Sequence, residues 1–127
     1  MNRLTVLLVD DHDGFLNAAM RHFRNVGWLE VVGRAMNGLE AISQTEQLKP
    51  AVVLMDLAMP EMGGLQATRL IKAQTAPPYI VIASHFDDAE HREHAARAGA
   101  DAFISKLNYV QEVMPILARL AGERGHV

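Results

Sequence analysis

Two acids, Asp10 and Asp11, close the apolar run 4–9, and a lone acid, Asp56, closes a second apolar run at 51–55. A continuous apolar run that ends in carboxylates predicts a buried strand delivering its acids to one rim of a sheet. If the two strands lie parallel and adjacent, the three carboxylates converge at the edge where open α/β sheets bind ligands. Three like charges held that close require a cation. Asp56, alone at its strand end, is placed to act as a nucleophile toward a phosphoryl group. A phosphoryl donor and a carboxylate repel each other, so a divalent ion must neutralise the approach. Mg²⁺ suits an all-oxygen site built from one or two carboxylates, waters and phosphate oxygens.

The elements that must position these acids can be read from periodicity. Leu16, Ala19, Met20, Phe23 and Val26 recur at the spacing of one helix face, and Gly27 follows as a stop signal. A short strand over 28–35, a turn at Asn37 and Gly38, and a helix marked by Leu39, Ile42, Thr45 and Leu48 come next, ending before Pro50. After the Asp56 strand the loop 60–64 leads to a helix from about Leu65 to Ala73, and Pro77 and Pro78 precede a strand over 79–83. Asp87 or Asp88 can cap a fourth helix that ends at Gly99. A fifth strand covers 102–104, and Val110, Val113, Met114, Leu117 and Leu120 predict the inward face of a last helix. Pro115 inside it predicts a kink or a late start. Five strands alternating with five helices, joined by right-handed crossovers, give a doubly wound three-layer α/β sandwich with a five-stranded parallel sheet.

At 127 residues, half of them apolar, the chain has the length and core material of one domain, placed at 1–121 with a frayed tail at 122–127. A net charge of −3 with 12 scattered Lys and Arg speaks against a nucleic-acid surface on this chain. The absence of Cys excludes disulfides, thiolate catalysis and Cys-based zinc sites. No apolar run approaches membrane-spanning length and no cleavage site follows the N-terminus, so a soluble cytoplasmic protein is expected.

At this point a family comes into view. Val9-Asp10-Asp11-His12, the segment from Asp56 to Pro60 with Gly64 beyond it, Ser84, the segment Gly99 to Phe103, and Lys106 stand in order at successive strand ends. With these motifs, the chain resembles the receiver domain of bacterial two-component response regulators, from Leu4 to about Ala121, and its Asp-Asp-His opening is most similar to receivers attached to helix-turn-helix transcription factors.

The resemblance implies a flavodoxin-like fold and a phosphoryl group accepted on Asp56 from a histidine kinase or phosphotransfer protein. It implies Mg²⁺ held by Asp11, Asp56 and the backbone carbonyl of Ala58, with Asp10 acting largely through water. Lys106 would pair with the phosphoryl oxygens and the Ser84 hydroxyl would bond one of them, with Phe103 swinging inward as that hydroxyl moves. The output would be a changed face formed by the fourth helix, fifth strand and fifth helix, open to a homodimer partner or an effector. Kinase docking is expected at the first helix and the loop after the fifth strand, with Phe15 and Leu107 unusually exposed beside Gly14 and Ala18. Ala58 and Phe86 border the path of attacking water in such domains; neither can activate it, and Phe86 folded over the rim would shield the phosphoryl group. Leu107 stands where the family often has proline, so a cis peptide there is not implied.

Each residue also has a bland reading. Paired acids at a strand end can cap a following helix, as can Asp13; Ser84 can terminate a strand; Lys106 can be solvated. His91 and His94, three apart, suggest a metal pair but lack a third ligand, whereas His12 and His85 flank the acidic rim. A phosphorylation-independent adaptor is an alternative function. A Mg²⁺-dependent phosphohydrolase is another, but it needs a second acid two residues after its nucleophile, where Ala58 stands.

Overall fold

The computed structural model describes residues 3–86 and 88–124. β1 (Leu4–Val9), α1 (Asp13–Arg24), β2 (Leu29–Ala35), α2 (Gly38–Leu48), β3 (Val52–Asp56), α3 (Gly64–Lys72), β4 (Tyr79–Ser84), α4 (Ala89–Ala98), β5 (Ala102–Ser105) and α5 (Tyr109–Glu123) follow one another, with a 3₁₀ turn at Lys106–Asn108. The strands form one parallel sheet in the order β2-β1-β3-β4-β5.

Alternation along the strands builds two cores. Leu4, Val6 and Leu8 of β1 join Leu54, Val81 and Ile104 beneath α1 and α5. Leu7 and Val9 join Val53, Met55, Ile80 and Ile82 beneath α2, α3 and α4. Because both faces are covered, the central strands are apolar on both faces apart from Thr5 and the rim residues Asp56 and Ser84, which is why they read as near-continuous runs. β1 leads outward to β2 and the chain then returns to β3 on the other side, so the sheet's switch point lies between β1 and β3. There Val9 pairs with Met55, which sets Asp10 beside Asp56, the next residues in register.

The helix boundaries follow local chemistry. Asn37 caps α2 by accepting the Glu40 N–H at 2.9 Å, and the Glu40 carboxylate accepts the Met36 N–H at 2.9 Å. Asp88 caps α4 through the His91 N–H, and Gly99 closes it at φ 104°. Asp87, the other cap candidate, lies outside the described residues.

Several expected faces are corrected. α2 buries Gly38, Ala41 and Thr45, while Leu39 and Leu48 are exposed. Small residues face inward because α2 lies close to its neighbours: a Cβ on Gly38 would meet the Met62 carbonyl oxygen at 2.7 Å. Val26 lies beyond the end of α1, packed against the core from the following turn. On α5 the inward residue at the start is Tyr109 and Val110 points out. Pro115 sits inside α5, which begins at Tyr109 and not late. Gly122 and Glu123, expected in a frayed tail, are helical, and residues 125–127 lie outside the described residues. α4 buries only Ala95 and Ala98, as its alanine-rich sequence implies.

Candidate functional site

Parallel register brings the ends of four strands to one rim. β1 delivers Asp10 and Asp11, β3 delivers Asp56, β4 ends at Ser84, and Lys106 follows β5. Asp10 is held from two sides: its N–H continues the ladder to the Ala35 carbonyl at 3.0 Å, and its Oδ1 accepts the His12 N–H at 2.9 Å. That second bond is where the side chain goes, and α1 starts without a side-chain cap, so the capping role for Asp10 or Asp11 is not what the fold uses.

Lys106 joins the acids across the sheet. Its Nζ donates to Asp10 Oδ2 at 2.6 Å and lies 3.2 Å from Asp56 Oδ1, with all three side chains buried. The same ammonium stands 4.5 Å from the centroid of the Phe15 ring, which packs edge-on against Tyr109 at 4.8 Å. Phe15 is therefore half-buried beneath Lys106, which corrects the expectation of an unusually exposed contact residue. Leu107 is 80% exposed, and Gly14 and Ala18 are exposed as well. Among the described residues no peptide bond is cis.

One cation does not balance three acids. Burial pushes the Asp56 carboxyl above its ordinary 3.8, Asp10 adds to the shift, Lys106 opposes it, and Asp11 raises it a little further. Asp11 Oδ1 is buried and accepts no hydrogen bond. One ligand atom each from Asp10, Asp11 and His12 fall within 4.8 Å of one another. A hard oxygen donor set, an unsatisfied carboxylate oxygen and excess negative charge fit a small divalent ion.

The sign of the Asp56 shift has a consequence for stability. Between 3.8 and the raised value the folded chain binds more protons than the unfolded chain, so this group's contribution falls as pH rises through that window. Asp56→Asn is expected to raise the thermal midpoint at pH 7 without divalent ions, an increment that shrinks on acidification toward pH ~4. Thermal melts across this range check it; an increment independent of pH contradicts it.

Ser84 is buried and its Oγ accepts the Phe86 N–H at 3.0 Å. Phe86 is 60% exposed and stacks on His91 of α4 at 5.2 Å. The expected shielding of the rim by Phe86 is therefore corrected: its ring is engaged by α4. His91 bonds Asp88, and neither His91 nor His94 belongs to the group of three possible metal ligands found among the described residues. Phe103 is half-buried, with the Arg92 guanidinium 4.8 Å over its ring. Ala58 is exposed on the loop directly after Asp56.

Sequence reasoning missed three supports. Ser105 donates its N–H to Glu112 and accepts the Leu107 N–H, fixing the start of α5. Tyr109 is buried with an unpartnered hydroxyl, and its phenol is pushed well up by burial. Phe15, expected from the sequence as an exposed contact residue, supports Lys106 from below, a role signalled only by an aromatic at the helix start.

The description "Response regulator receiver domain" belongs to a family model that matches residues 6–118. The chain is 36% identical over 111 residues to the uncharacterized transcriptional regulatory protein YhcZ of Bacillus subtilis, covering 87% of this chain and 52% of that protein. It is 34% identical over 122 residues to the response regulator GacA of Pseudomonas viridiflava, covering 95% and 57%. A LuxR-family two-component response regulator from Aurantimonas superposes with a TM-score of 0.82 at 29% identity, over 92% of this chain and 86% of that one. The chain thus spans about half the length of the curated relatives it matches.

Proposed function

Because the chain belongs to the response regulator receiver domain family, we propose that Asp56 is its phosphoacceptor and that a phosphohistidine on a kinase or phosphotransfer protein is the donor. The observation that carries this reading is the buried Asp56 carboxylate, 3.2 Å from the Lys106 ammonium and beside two further acids that one lysine leaves unbalanced.

An Asp56 oxygen attacks phosphorus in line with the donor nitrogen. The P–O bond forms as the P–N bond breaks, and the electron pair leaves on the imidazole. Asp11, Asp56 and the Ala58 carbonyl, with Asp10 through water, would hold Mg²⁺, which would supply the positive charge that lets two anions approach. Lys106 already stands between Asp10 and Asp56, so a short movement pairs it with the new phosphoryl oxygens. Ser84 accepts the Phe86 N–H and keeps its own O–H to donate to the same group.

Movement of Ser84 toward the phosphoryl group pulls on the Phe86 segment and so on His91 of α4, the helix with the smallest buried face. Phe103 follows, and the α4-β5-α5 face changes for a second copy or an effector. The donor docks over α1 and the loop after β5, where Gly14, Ala18 and Leu107 are exposed. The relatives' greater length and the name of the Bacillus subtilis protein support a transcriptional effector as the output in the whole protein.

Mixing the chain with a ³²P-phosphohistidine donor domain and Mg²⁺ tests the reading. Label is expected to move to the chain and to stay on the donor with Asp56→Asn. Label on Asp56→Asn, or none on the wild type from any histidine donor, contradicts it.

A further inference from the structure

A lysine ammonium carries three N–H donors, and that of Lys106 has little water to use them on, since its side chain is 4% exposed. Asp10 accepts one donor at 2.6 Å, and Asp56 Oδ1 faces the nitrogen at 3.2 Å. The ammonium also lies over the Phe15 ring, with Nζ 4.5 Å from the centroid. A cation over an aromatic face is held more strongly when it is desolvated, as this one is. Contacts to the ends of β1 and β3 and to the start of α1 therefore locate the nitrogen from three elements at once.

The ring is itself braced. Phe15 lies in the first turn of α1, and its plane meets that of Tyr109 at 82° with the centroids 4.8 Å apart. Tyr109 is buried and stands 6.4 Å from Phe23, one helix face further along α1. An acid in place of Phe15 would also attract Lys106, but it would neutralise the ammonium. The ring attracts it and leaves its charge and its remaining N–H donors for the phosphoryl oxygens.

We propose that Phe15 is a positioning residue for phosphoryl transfer: by attraction between its ring face and the ammonium, it keeps Lys106 between Asp10 and Asp56, where the phosphoryl oxygens arrive. The inference rests on Asp56 as the phosphoacceptor. It adds that an aromatic on α1 acts inside the site, through Lys106, and is more than packing or a donor contact. A ring that attracts less leaves a smaller fraction of molecules with the ammonium in place, and the transfer rate falls with that fraction.

Whole chains carrying one, two or three fluorines on the Phe15 ring test this, because fluorine drains the negative face of the ring and leaves its shape nearly unchanged. The labelling rate from acetyl phosphate at saturating Mg²⁺ is expected to fall stepwise along the series. Phe15→Leu is expected to lose on the order of 10-fold. Before labelling, the Lys106 Cε protons are expected to be shifted upfield by the ring, a shift that Phe15→Leu removes. Equal labelling rates across the fluorinated series reduce Phe15 to packing and overturn the inference while the phosphoacceptor reading stands. A Lys106 resonance that Phe15→Leu leaves in place does the same. No label on the wild type, or label on Asp56→Asn, overturns the phosphoacceptor reading and the inference together.

Discussion

Gly64→Ala is expected to lower unfolding stability by about 3 kcal/mol, the upper end for forcing atoms into a filled space. A Cβ built on Gly64 lies 2.3 Å from the Asp56 carbonyl oxygen and 3.2 Å from the Leu57 Cα. The obstacle is backbone, so no side chain can rotate away. Gly64 also donates its N–H to the Leu57 carbonyl at 2.9 Å, closing the loop that carries Asp56 out of β3. Relief of the clash must move either the start of α3 or the Asp56 main chain, so the metal and phosphoryl binding proposed for this rim is expected to weaken along with stability. Gly14→Ala is the control, since a Cβ there meets nothing within 4 Å. Urea unfolding of both variants checks the prediction, and equal stabilities contradict it.

Lys106→Met, measured without divalent ions, is expected to lose about 3–5 kcal/mol, because removing one partner strands a buried charge on the other. Methionine keeps the apolar stem over Phe15, so packing is largely conserved and the effect is electrostatic. Asp10 is the residue stranded: its side chain is 1% exposed and its Oδ2 has Lys106 as its 2.6 Å partner. Adding Asp10→Asn in the same chain is then expected to recover most of the loss, and the double-mutant cycle isolates the pair. A Lys106→Met protein as stable as the wild type, or one that Asp10→Asn does not rescue, would show that the pair is not holding the rim.

The succession of strands and helices and the acid positions were legible because both are local signals: apolar runs that end in charge, separated by helical periods. The pairing of Lys106 with Asp10 is not local, since 96 residues separate them; the family resemblance set Lys106 on the same rim but paired it with phosphoryl oxygens, not with Asp10. The inner face of α2 was misread because hydrophobicity pointed to Leu39 and Leu48, whereas close approach to the Met62 loop selects Gly38 and Ala41. Tyr109 escaped notice for a related reason. Its ring fills the space between Phe15 and Phe23 of α1, a contact that exists only once α1 and α5 share a face of the sheet. Phe86 illustrates the limit of motif reasoning: its place two residues after Ser84 suggested a shield, and the stacking partner that turns it to α4, His91, lies in the next element.

Intact mass after incubation with acetyl phosphate and Mg²⁺ tests the central claim most directly, because it needs no partner protein. The account predicts a gain of one phosphoryl group on the wild type, none on Asp56→Asn, and none on the wild type in excess chelator. A phosphoryl group gained equally by Asp56→Asn would contradict it.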